Sequence, residues 1–367
     1  MKSITIGVLE DHSDDVSGPS ATAAGVVSAI ESKNGRAIYI DAGGRFQDSL
    51  LRYGGEIDMV FNISEDVVPD VGISDFLDSI NMPYTGPGRA GRDVGNDKAR
   101  TRMVLDGCVV HPGWQFIKEC GEPLGPHMRY PVFVKPVDGT YSVGLTQDCV
   151  VFSENDLEGV VSYVMKITGN GVIVEEFLGG MEYDAGVIGN IVLPPLQYNL
   201  GNFPGKPLVR DHAVKKNFSL DVPGFIGPVE SDDVADRLAV QTVAAHKYVG
   251  AKDYSRSDFR SRKGSDGEPL FLEINTLPGL NPKTSVIPVA ASFAGIEYND
   301  VVGGIVYSAL KRNSADPRYI GKLMSVDGEG FGEAYGRMSS MVGEGDVLVI
   351  GGDVYGMIRP MVMKHGS

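Results

Sequence analysis

Two acidic side chains and an amide between Asp253 and Pro288 have the types and spacing of a metal site. The segment reads as two strands joined by a polar hairpin, with Asp258 in the first strand and Glu273 and Asn275 in the second. Residues two apart on a strand share a face, and pairing of the strands would bring Asp258 beside the other two. Such oxygen ligands suit Mg²⁺, which takes its remaining ligands from water and substrate phosphates. The alternative is that these polar side chains face solvent on an open sheet surface.

Two lysines have the surroundings of phosphate ligands. Lys135 ends an apolar strand, where an unpaired ammonium would be costly. The loop that follows, residues 138–144, is rich in hydroxyls and backbone N–H groups that can bind phosphate oxygens. Lys98 falls in the first turn of a helix capped by Asn96 or Asp97, where a phosphate would offset its unfavourable position in the helix dipole. For Lys98 a solvated surface position is the alternative, and the sequence has no GxxxxGK[ST] motif, which argues against a Walker-type site.

Further polar residues follow in chain order. Glu175 and Glu176 end one strand and Glu182 begins the next, where carboxylates can take an adenine amino group or ribose hydroxyls and the backbone beside Leu178 can contact the ring. Glutamates at hairpin ends are also commonly solvated. The irregular stretch Leu193–Pro228 is long enough to be either a functional lid or a disordered segment, and it contains several cations suited to closing on phosphate.

The elements that must position these residues form several lobes. Residues 1 to about 95 alternate short buried strands with helices at Ala21–Ser32, Phe46–Tyr53 and Ile73–Ile80, which predicts a small parallel βαβ lobe. Ligands of such sheets lie beyond the carboxyl ends of the strands, where Glu10 and Glu65 occur. Later helices are expected at Asp232–Tyr248, Ser285–Ala294 and Tyr298–Arg312. Glycine-rich turns and one or two short strands are expected after residue 313, with residues 330–332 in a turn.

Composition limits the class of protein. A chain of 367 residues exceeds one ordinary core, and its net charge of −15 argues against a nucleic-acid partner. Three cysteines without CxxC spacing favour reduced thiols in a reducing compartment. No segment approaches the ~20 apolar residues of a membrane span, and the first apolar run is too short for a signal peptide before the sequence turns acidic. A cytoplasmic protein without a membrane partner is expected.

Seven segments, in a fixed order from about Met82 to about Arg312, resemble the ATP-grasp carboxylate–amine ligases, and in particular the D-alanine–D-alanine ligase family. They are MPYTG, NDKARTRMVL, VFVKP, SVG, VEEFLGGMEY, RSDFR and EINTLPGLNP. The resemblance implies an α/β protein with α+β lobes, namely an ATP-grasp fold preceded by a parallel βαβ lobe. The expected division is residues 1–95 (substrate lobe), 96–178 (central lobe with the glycine-rich loop), 179–312 (lobe with the lid and metal site) and 313–367 (extension of unknown role).

The resemblance also implies a role for each matching residue. For the nucleotide, Lys98 and Lys135 would bind the α- and β-phosphates under Ser142, while Glu175, Glu176, Leu178 and Glu182 would hold adenine and ribose. Asp258, Glu273 and Asn275 would bind two Mg²⁺ ions, with Mn²⁺ as an alternative. For the chemistry, Lys215 would approach the γ-phosphate, and Arg256 and the amide of Gly279 would stabilise the tetrahedral intermediate. Ser285 or Thr284 would receive the second substrate's carboxylate.

The reaction implied is an ATP-dependent one. A carboxylate attacks the γ-phosphate, and the acyl phosphate then meets an amine, giving an amide, ADP and phosphate. The partners implied are amino acids or small peptides, and a homodimer is left open. A ligase that forms an ester or thioester, and a non-catalytic ATP-binding module, are the alternatives.

The sequence departs from the family around the first substrate. Glu10-Asp11 replaces a Gly-Gly turn and Glu65-Asp66 replaces a His-Gly pair, while Tyr141 stands for a small hydroxyl and Lys216 for an aromatic residue. These are the places that hold the first amino acid in the family. The departures therefore predict an acyl substrate other than D-alanine, with Glu10, Glu65 and Tyr141 among its contacts. The extra acids would hold a more cationic substrate, and the alternative is that they are solvated at the ends of loops.

Overall fold

The computed structural model of the chain describes residues 2–11, 18–42, 46–64, 72–138, 145–211, 214, 222–265, 267–319, 326–327 and 329–341. In these ranges the helices are α1 (Ala21–Ser32), α2 (Phe46–Tyr53), α3 (Ile73–Ser79), α4 (Arg89–Gly95), α5 (Lys98–Val104), α6 (Glu154–Thr168), α7 (Asp232–Val249), α8 (Val286–Phe293), α9 (Tyr298–Ser314) and α10 (Glu329–Met341). The strands are β1 (Lys2–Ser3), β2 (Thr5–Glu10), β3 (Arg36–Asp41), β4 (Met59–Asn62), β5 (Trp114–Ile117), β6 (Val132–Pro136), β7 (Val150–Val151), β8 (Val172–Glu176), β9 (Glu182–Ile188), β10 (Ile191–Val192), β11 (Leu196–Tyr198), β12 (Ile226–Pro228), β13 (Tyr254–Arg260), β14 (Leu270–Asn275) and β15 (Val326–Asp327).

The N-terminal part is a parallel three-stranded sheet in the order β3-β2-β4, as the alternation of strands and helices predicts. Every residue of β2 is buried, because helices and neighbouring strands cover the central strand of a parallel sheet. The N-cap of α1 is Ser20, whose hydroxyl accepts hydrogen bonds from the backbone N–H groups of Thr22 and Ala23. The predicted bounds of α1 and α2 are confirmed, and α3 ends one residue earlier than predicted.

Two further sheets follow along the chain. The first is antiparallel, with the order β5-β8-β6-β7, and its buried side chains pack with those of α6. The second has the order β12-β11-β9-β13-β14, with β10 paired to β9, and α7 packs on it. The first sheet presents Lys135 and Glu175, and the second presents Glu182 and the β13–β14 hairpin, so the candidate residues come from two facing sheets.

Two segments predicted to be irregular contain regular structure. The ends of the stretch Leu193–Pro228 form β11 and β12, which pair with each other and extend the second sheet. Residues 330–332 were expected in a turn, but they belong to α10. Phe331, Ala334 and Met338 recur at helical spacing and are buried, so packing against α9 outweighs the poor helix propensity of the intervening glycines.

Among the helices in the described ranges, none is both long and apolar enough to cross a membrane.

Candidate active site

The β13–β14 hairpin forms one wall of the site. In its antiparallel register Asp258 lies opposite Glu273, and Arg256 lies opposite Asn275. A bulge follows Asp258, so the regular pairing that aligns these four residues ends at that point. The pairing predicted from the sequence is therefore present, and the two carboxylates and the amide share one face of the sheet.

A third carboxylate, which the sequence analysis missed, extends this row. Asp184 on β9 lies opposite Asp258 on β13, so three neighbouring strands present Asp184, Asp258 and Glu273 side by side. Asp184 is 1% exposed, and its charge is balanced by Arg210, whose Nη2 lies 2.9 Å from Oδ1 and whose Nη1 lies 3.1 Å from Oδ2. The available signal was the spacing of two between Glu182 and Asp184 on a predicted strand, which puts both on one face.

Two arginines hold the carboxylate predicted to bind ribose. Arg210 donates from Nε to Glu182 Oε2 at 2.6 Å, and Arg260 approaches Oε1 at 3.3 Å. The Arg210 guanidinium also lies over the ring of Tyr198, 3.8 Å from its centroid. Glu182 thus has a fixed orientation, and each of its oxygens keeps a lone pair for a further donor.

The facing wall carries a buried charge network at Glu175. Its Oε1 lies 2.9 Å from Lys135 Nζ, and its Oε2 accepts a hydrogen bond from Arg102. Burial alone would raise the pKa of the Glu175 carboxyl, but the two cations outweigh it and hold that pKa below its ordinary value. Burial lowers the pKa of the Lys135 ammonium, and Glu175 opposes that shift. Arg102 was not predicted as a site residue. Besides its bond to Glu175, its guanidinium lies over the ring of Trp114.

Lys98 extends from this wall towards the metal-ligand candidates. It is the first residue of α5, whose N-cap Asp97 accepts a hydrogen bond from the N–H of Arg100. Lys98 is only 8% exposed, so the alternative of a solvated surface lysine is wrong. Its Nζ lies 3.7 Å from Glu273 Oε2, which joins the phosphate and metal candidates across the cleft.

A cavity of about 90 Å³ lies between the two walls. It is lined by predicted nucleotide and metal residues, including Lys135, Glu175, Glu182, Asp258 and Glu273, and also by Val209, Arg210 and Asp211. Leu178 and Glu176, predicted to present backbone to adenine, also line the cavity, and the Glu176 carboxylate pairs with Arg262 at 2.7 Å. One space bounded by both sheets thus contains residues predicted for the nucleotide and residues predicted for the metal.

The residues predicted for acyl transfer lie on the β13–β14 hairpin and in the segment that follows it. Arg256 donates from Nε to Asp258 Oδ1 at 2.7 Å and from Nη2 to Oδ2 at 3.0 Å, which leaves Nη1 outside that pair. Gly279 is exposed in the loop after β14, and a Cβ placed on it would lie 3.1 Å from Ser285 Oγ. Ser285 is the N-cap of α8, and its hydroxyl accepts a hydrogen bond from the N–H of Asn281, while Thr284 beside it is exposed.

In the N-terminal sheet Glu10 has structural partners of its own. Its carboxylate accepts from the hydroxyl and the N–H of Ser20, and Tyr39 Oη donates to it at 3.4 Å. Glu10 therefore ties the end of β2 to the start of α1. The remaining predicted contacts, Glu65, Tyr141, Ser142 and Lys215, lie outside the described residues.

The oxygen donors of the hairpin fit a hard divalent cation. Burial raises the pKa of the Asp258 carboxyl to about 6, and Asp184 and Glu273 add to the shift while Arg256 opposes it. Crowded carboxylates of this kind favour a bound dication, which offsets their mutual repulsion. Within the described part of the chain no group of three or more His, Cys, Asp and Glu side chains is arranged to hold a metal. The candidate set contains only two such side chains, Asp258 and Glu273, and its third oxygen donor is the Asn275 amide.

Comparison with known proteins identifies the family. The family model for the D-ala D-ala ligase C-terminus matches residues 112–307, more than half of the chain. The chain belongs to the D-alanine–D-alanine ligase family. A D-alanine–D-alanine ligase of Maridesulfovibrio salexigens is 30% identical over 73% of this chain and 85% of its own length. D-alanine–D-alanine ligase B of Chromobacterium violaceum is 30% identical over 76% of this chain and 88% of its own length.

Solved members of the family share the fold. D-alanine–D-alanine ligase from Bacillus anthracis superposes with a TM-score of 0.63 at 19% identity, covering 84% of this chain and 98% of its own. The same enzyme complexed with ATP gives a TM-score of 0.65 at 20% identity, covering 85% and 98%. The ATP-grasp fold expected from the sequence is confirmed, and this family member is an ATP-dependent ligase that joins a carboxylate to an amine.

Proposed function

We propose that this ligase requires Mg²⁺, that it joins the carboxylate of an amino acid or small peptide to an amine through an acyl phosphate, and that its acyl substrate is not D-alanine. One observation carries the proposal. The carboxylates of Asp258 and Glu273 are paired across one hairpin and face Lys98 and Lys135 across a single cleft. Oxygen ligands opposite two buried cations provide what a magnesium nucleotide needs.

The nucleotide would lie between the two walls. Burial lowers the pKa of the Lys135 ammonium and Glu175, 2.9 Å away, opposes that shift, so Glu175 favours the charged form that would bind phosphate oxygens together with Lys98. Glu182, held by its two arginines, would accept the ribose hydroxyls, and the backbone at Glu176 and Leu178 would contact adenine. Ser142 and Lys215 would complete the phosphate site.

The metal ligands would be Asp258, Glu273 and Asn275. When bound there, Mg²⁺ would neutralise charge on the transferring phosphoryl group. The protein residues hold these oxygens in place before substrate binds, because Arg256 clamps Asp258 and the strand pairing fixes Glu273 opposite.

Amide formation would use the residues beside the hairpin. An oxygen of the acyl substrate attacks the γ-phosphorus and ADP leaves. The amine nitrogen then attacks the acyl carbon, phosphate leaves and the amine loses a proton. Arg256 and the N–H of Gly279 would stabilise the oxyanion of the second step, while Ser285 at the start of α8 would hold the second carboxylate.

The acidic residues at the ends of β2 and β4 support a different acyl substrate. Glu10 replaces a glycine of the family, and its bonds to Ser20 and Tyr39 keep a carboxylate where the family has no side chain. Together with Glu65, which follows β4 by three residues in the sequence, Glu10 supports the proposal of a more cationic acyl substrate than D-alanine.

A phosphate-release screen of amino-acid pairs with ATP and Mg²⁺, followed by mass spectrometry of the product, tests this function. We expect an amide product from a pair without D-alanine as acyl donor, loss of activity with EDTA, and loss of turnover in Glu273→Gln with an unchanged melting temperature. D-alanine-dependent ADP release at ordinary substrate levels would refute the substrate proposal. Full activity of Glu273→Gln would remove the metal assignment, and an ester or thioester product would replace the amide reaction.

A further inference from the structure

One side-chain amide joins the two walls of the cleft. Gln147, in the 3₁₀ turn that precedes β7, accepts hydrogen bonds at Oε1 from the N–H groups of Leu208 at 2.7 Å and Val209 at 3.2 Å. Its Nε2 donates to Val209 O at 3.0 Å and to Asp211 Oδ2 at 2.7 Å. All four bonds of this one amide therefore go to a single segment more than sixty residues away.

That segment is also fixed to the opposite wall. Arg210 is held on β9 by Asp184 and Glu182, and Leu208 O accepts a hydrogen bond from Arg260 Nη2 at 2.7 Å. Residues 208–211 thus have Gln147 on the wall of the four-stranded sheet and β9 with β13 on the other. We call Gln147 together with residues 208–211 the clasp.

The clasp borders the cleft in which the nucleotide would react. Val209, Arg210 and Asp211 line the same cavity as Lys135 and Asp258. Leu208 at the start of the segment is 41% exposed, whereas Val209 is 7% exposed and the Arg210 side chain 9%, so the middle of the segment is packed into the molecule. These residues therefore lie between the wall that carries Lys135 and the wall that carries Asp258.

We propose that Gln147 is a positioning residue for the ligase reaction, because it sets the spacing between the wall that carries Lys135 and Glu175 and the wall that carries Asp258 and Glu273. This inference rests on the proposed function of the cleft. A shift of about 1 Å between groups that act on one phosphoryl group lowers the rate about a hundred-fold. A wider cleft also admits water to the acyl phosphate, which then hydrolyses with release of ADP but no amide.

Gln147→Met tests the clasp, since methionine keeps the length of the side chain and removes all four hydrogen bonds. Gln115→Met is the matched control. Gln115 lies on β5 in the same sheet, donates to Pro123 O at 3.0 Å, accepts from Gly125 N–H at 2.7 Å, and makes both bonds within its own lobe. We expect kcat of Gln147→Met to fall about ten-fold or more with the KM for ATP changed less than about three-fold. The ratio of ADP to amide should rise to about two or more, and Gln115→Met should leave both unchanged.

A second pair of variants separates positioning from general damage. Gln147→Glu puts a carboxylate against Asp211, and Asp211→Asn removes that repulsion and supplies an amide donor in exchange. The double variant should therefore recover most of the kcat and the ADP-to-amide ratio that Gln147→Glu loses. A double variant no better than Gln147→Glu alone, or a Gln147→Met variant with normal kcat and ratio, overturns the proposal.

Hydrogen exchange keeps the test independent of turnover. The amides of Leu208 and Val209 should exchange at least about ten times faster in Gln147→Met than in Gln115→Met, because their acceptor is gone. If the parent protein forms no amide with any substrate pair, the proposed function fails and this comparison alone decides the clasp. Equal exchange rates in the two variants would then show that Gln147 does not hold the segment.

Discussion

At the scale of single residues, each buried carboxylate named here forms an ion pair with a lysine or arginine side chain of the cleft. Asp184 pairs with Arg210, Asp258 with Arg256, and Glu175 with both Lys135 and Arg102. Because an unpaired buried charge is strongly destabilising, these pairs let the fold keep its carboxylates ionised without a ligand. The charged groups of the cleft are therefore oriented without a ligand, which is the condition for electrostatic catalysis in the function proposed above.

His246 near the end of α7 differs from these groups, because its hydrogen-bond partner is neutral. Its Nδ1 lies 2.8 Å from Ser255 Oγ, and burial lowers the pKa of the ring from 6.5 to about 4, with Asp253 opposing the shift only in part. Between pH 6.5 and pH 4 the ring therefore binds a proton in the unfolded chain but stays neutral in the folded protein. Stability contributed by the neutral ring is fully present above pH 6.5 and is lost as the pH falls towards 4.

Glutamine at position 246 cannot ionise but can still form a hydrogen bond with Ser255. We predict that His246→Gln makes the free energy of unfolding fall less as the pH is lowered from 6.5 to 4. Since one pKa unit corresponds to about 1.4 kcal/mol and the ring keeps some contact with solvent, the parent should lose about 2 kcal/mol more than the variant between pH 6.5 and pH 4. Urea unfolding across this range measures the difference. His127→Gln, at an exposed ring, should follow the parent curve, and parallel curves for parent and His246→Gln would contradict the assignment.

At the scale of elements, the C-terminal helix α10 crosses α9 at two glycines. A Cβ on Gly303 would lie 2.8 Å from Ala334 Cβ, and one on Gly304 would lie 2.8 Å from Met338 Sδ. The crossing is reinforced by Arg337, which donates to the Asp300 carboxylate at 2.7 Å. The two helices can approach closely because Gly303 and Gly304 have no side chain. This explains why α9 contains two poor helix formers in its middle.

The two glycines should respond oppositely to the same substitution. In Gly304→Ala the flexible Met338 can move aside, so the gain in helix propensity, up to about 1 kcal/mol, should raise stability or leave it unchanged. In Gly303→Ala the new methyl meets a methyl that has no rotamer to change, so we expect a loss of about 1–3 kcal/mol and faster proteolysis of α10. Urea unfolding and limited proteolysis of both variants measure this, and equal behaviour of the two would show that the crossing is not tightly packed.

How much of this site the sequence predicts depends on how far apart in the chain its partners lie. Asp258 and Glu273 are joined by a short hairpin, so alternation and turn residues were sufficient to pair them. Asp184 joins the row only through the pairing of β9 with β13, and Arg210 reaches it from an irregular segment. Neither the register of distant strands nor the path of a loop is encoded in a local pattern. The helix at 329–341 was missed for the related reason that its stability comes from packing against α9.

At the scale of the whole molecule, one buried carboxylate connects the N-terminal sheet to the site. Asp253, just before β13, accepts hydrogen bonds from Gly86 N–H at 3.0 Å and from Arg312 Nη2 on α9 at 2.6 Å. Arg312 Nη2 also donates to Tyr84 O at 2.8 Å. Asp253 has a φ of +63°, a conformation that Asp and Asn adopt more readily than most residues. The segment after the N-terminal sheet, the start of the β13–β14 hairpin and α9 thus meet at a single ion pair.

Arg312→Met should consequently destabilise the protein far more than a typical surface change. Asp253 is 3% exposed, so removing its cation leaves a buried charge, and we expect a loss of about 3 kcal/mol in urea unfolding. Arg318→Met is the matched control, because Arg318 pairs with Asp316 at an exposed position and its loss should cost under about 1 kcal/mol. Asp253→Asn in the Arg312→Met background should recover part of the loss, since the amide removes the stranded charge and still accepts from Gly86. If Arg312→Met lowers the free energy of unfolding no more than Arg318→Met does, the ion pair does not stabilise the protein. Apolar contacts would then hold the N-terminal part of the chain against the β13–β14 hairpin.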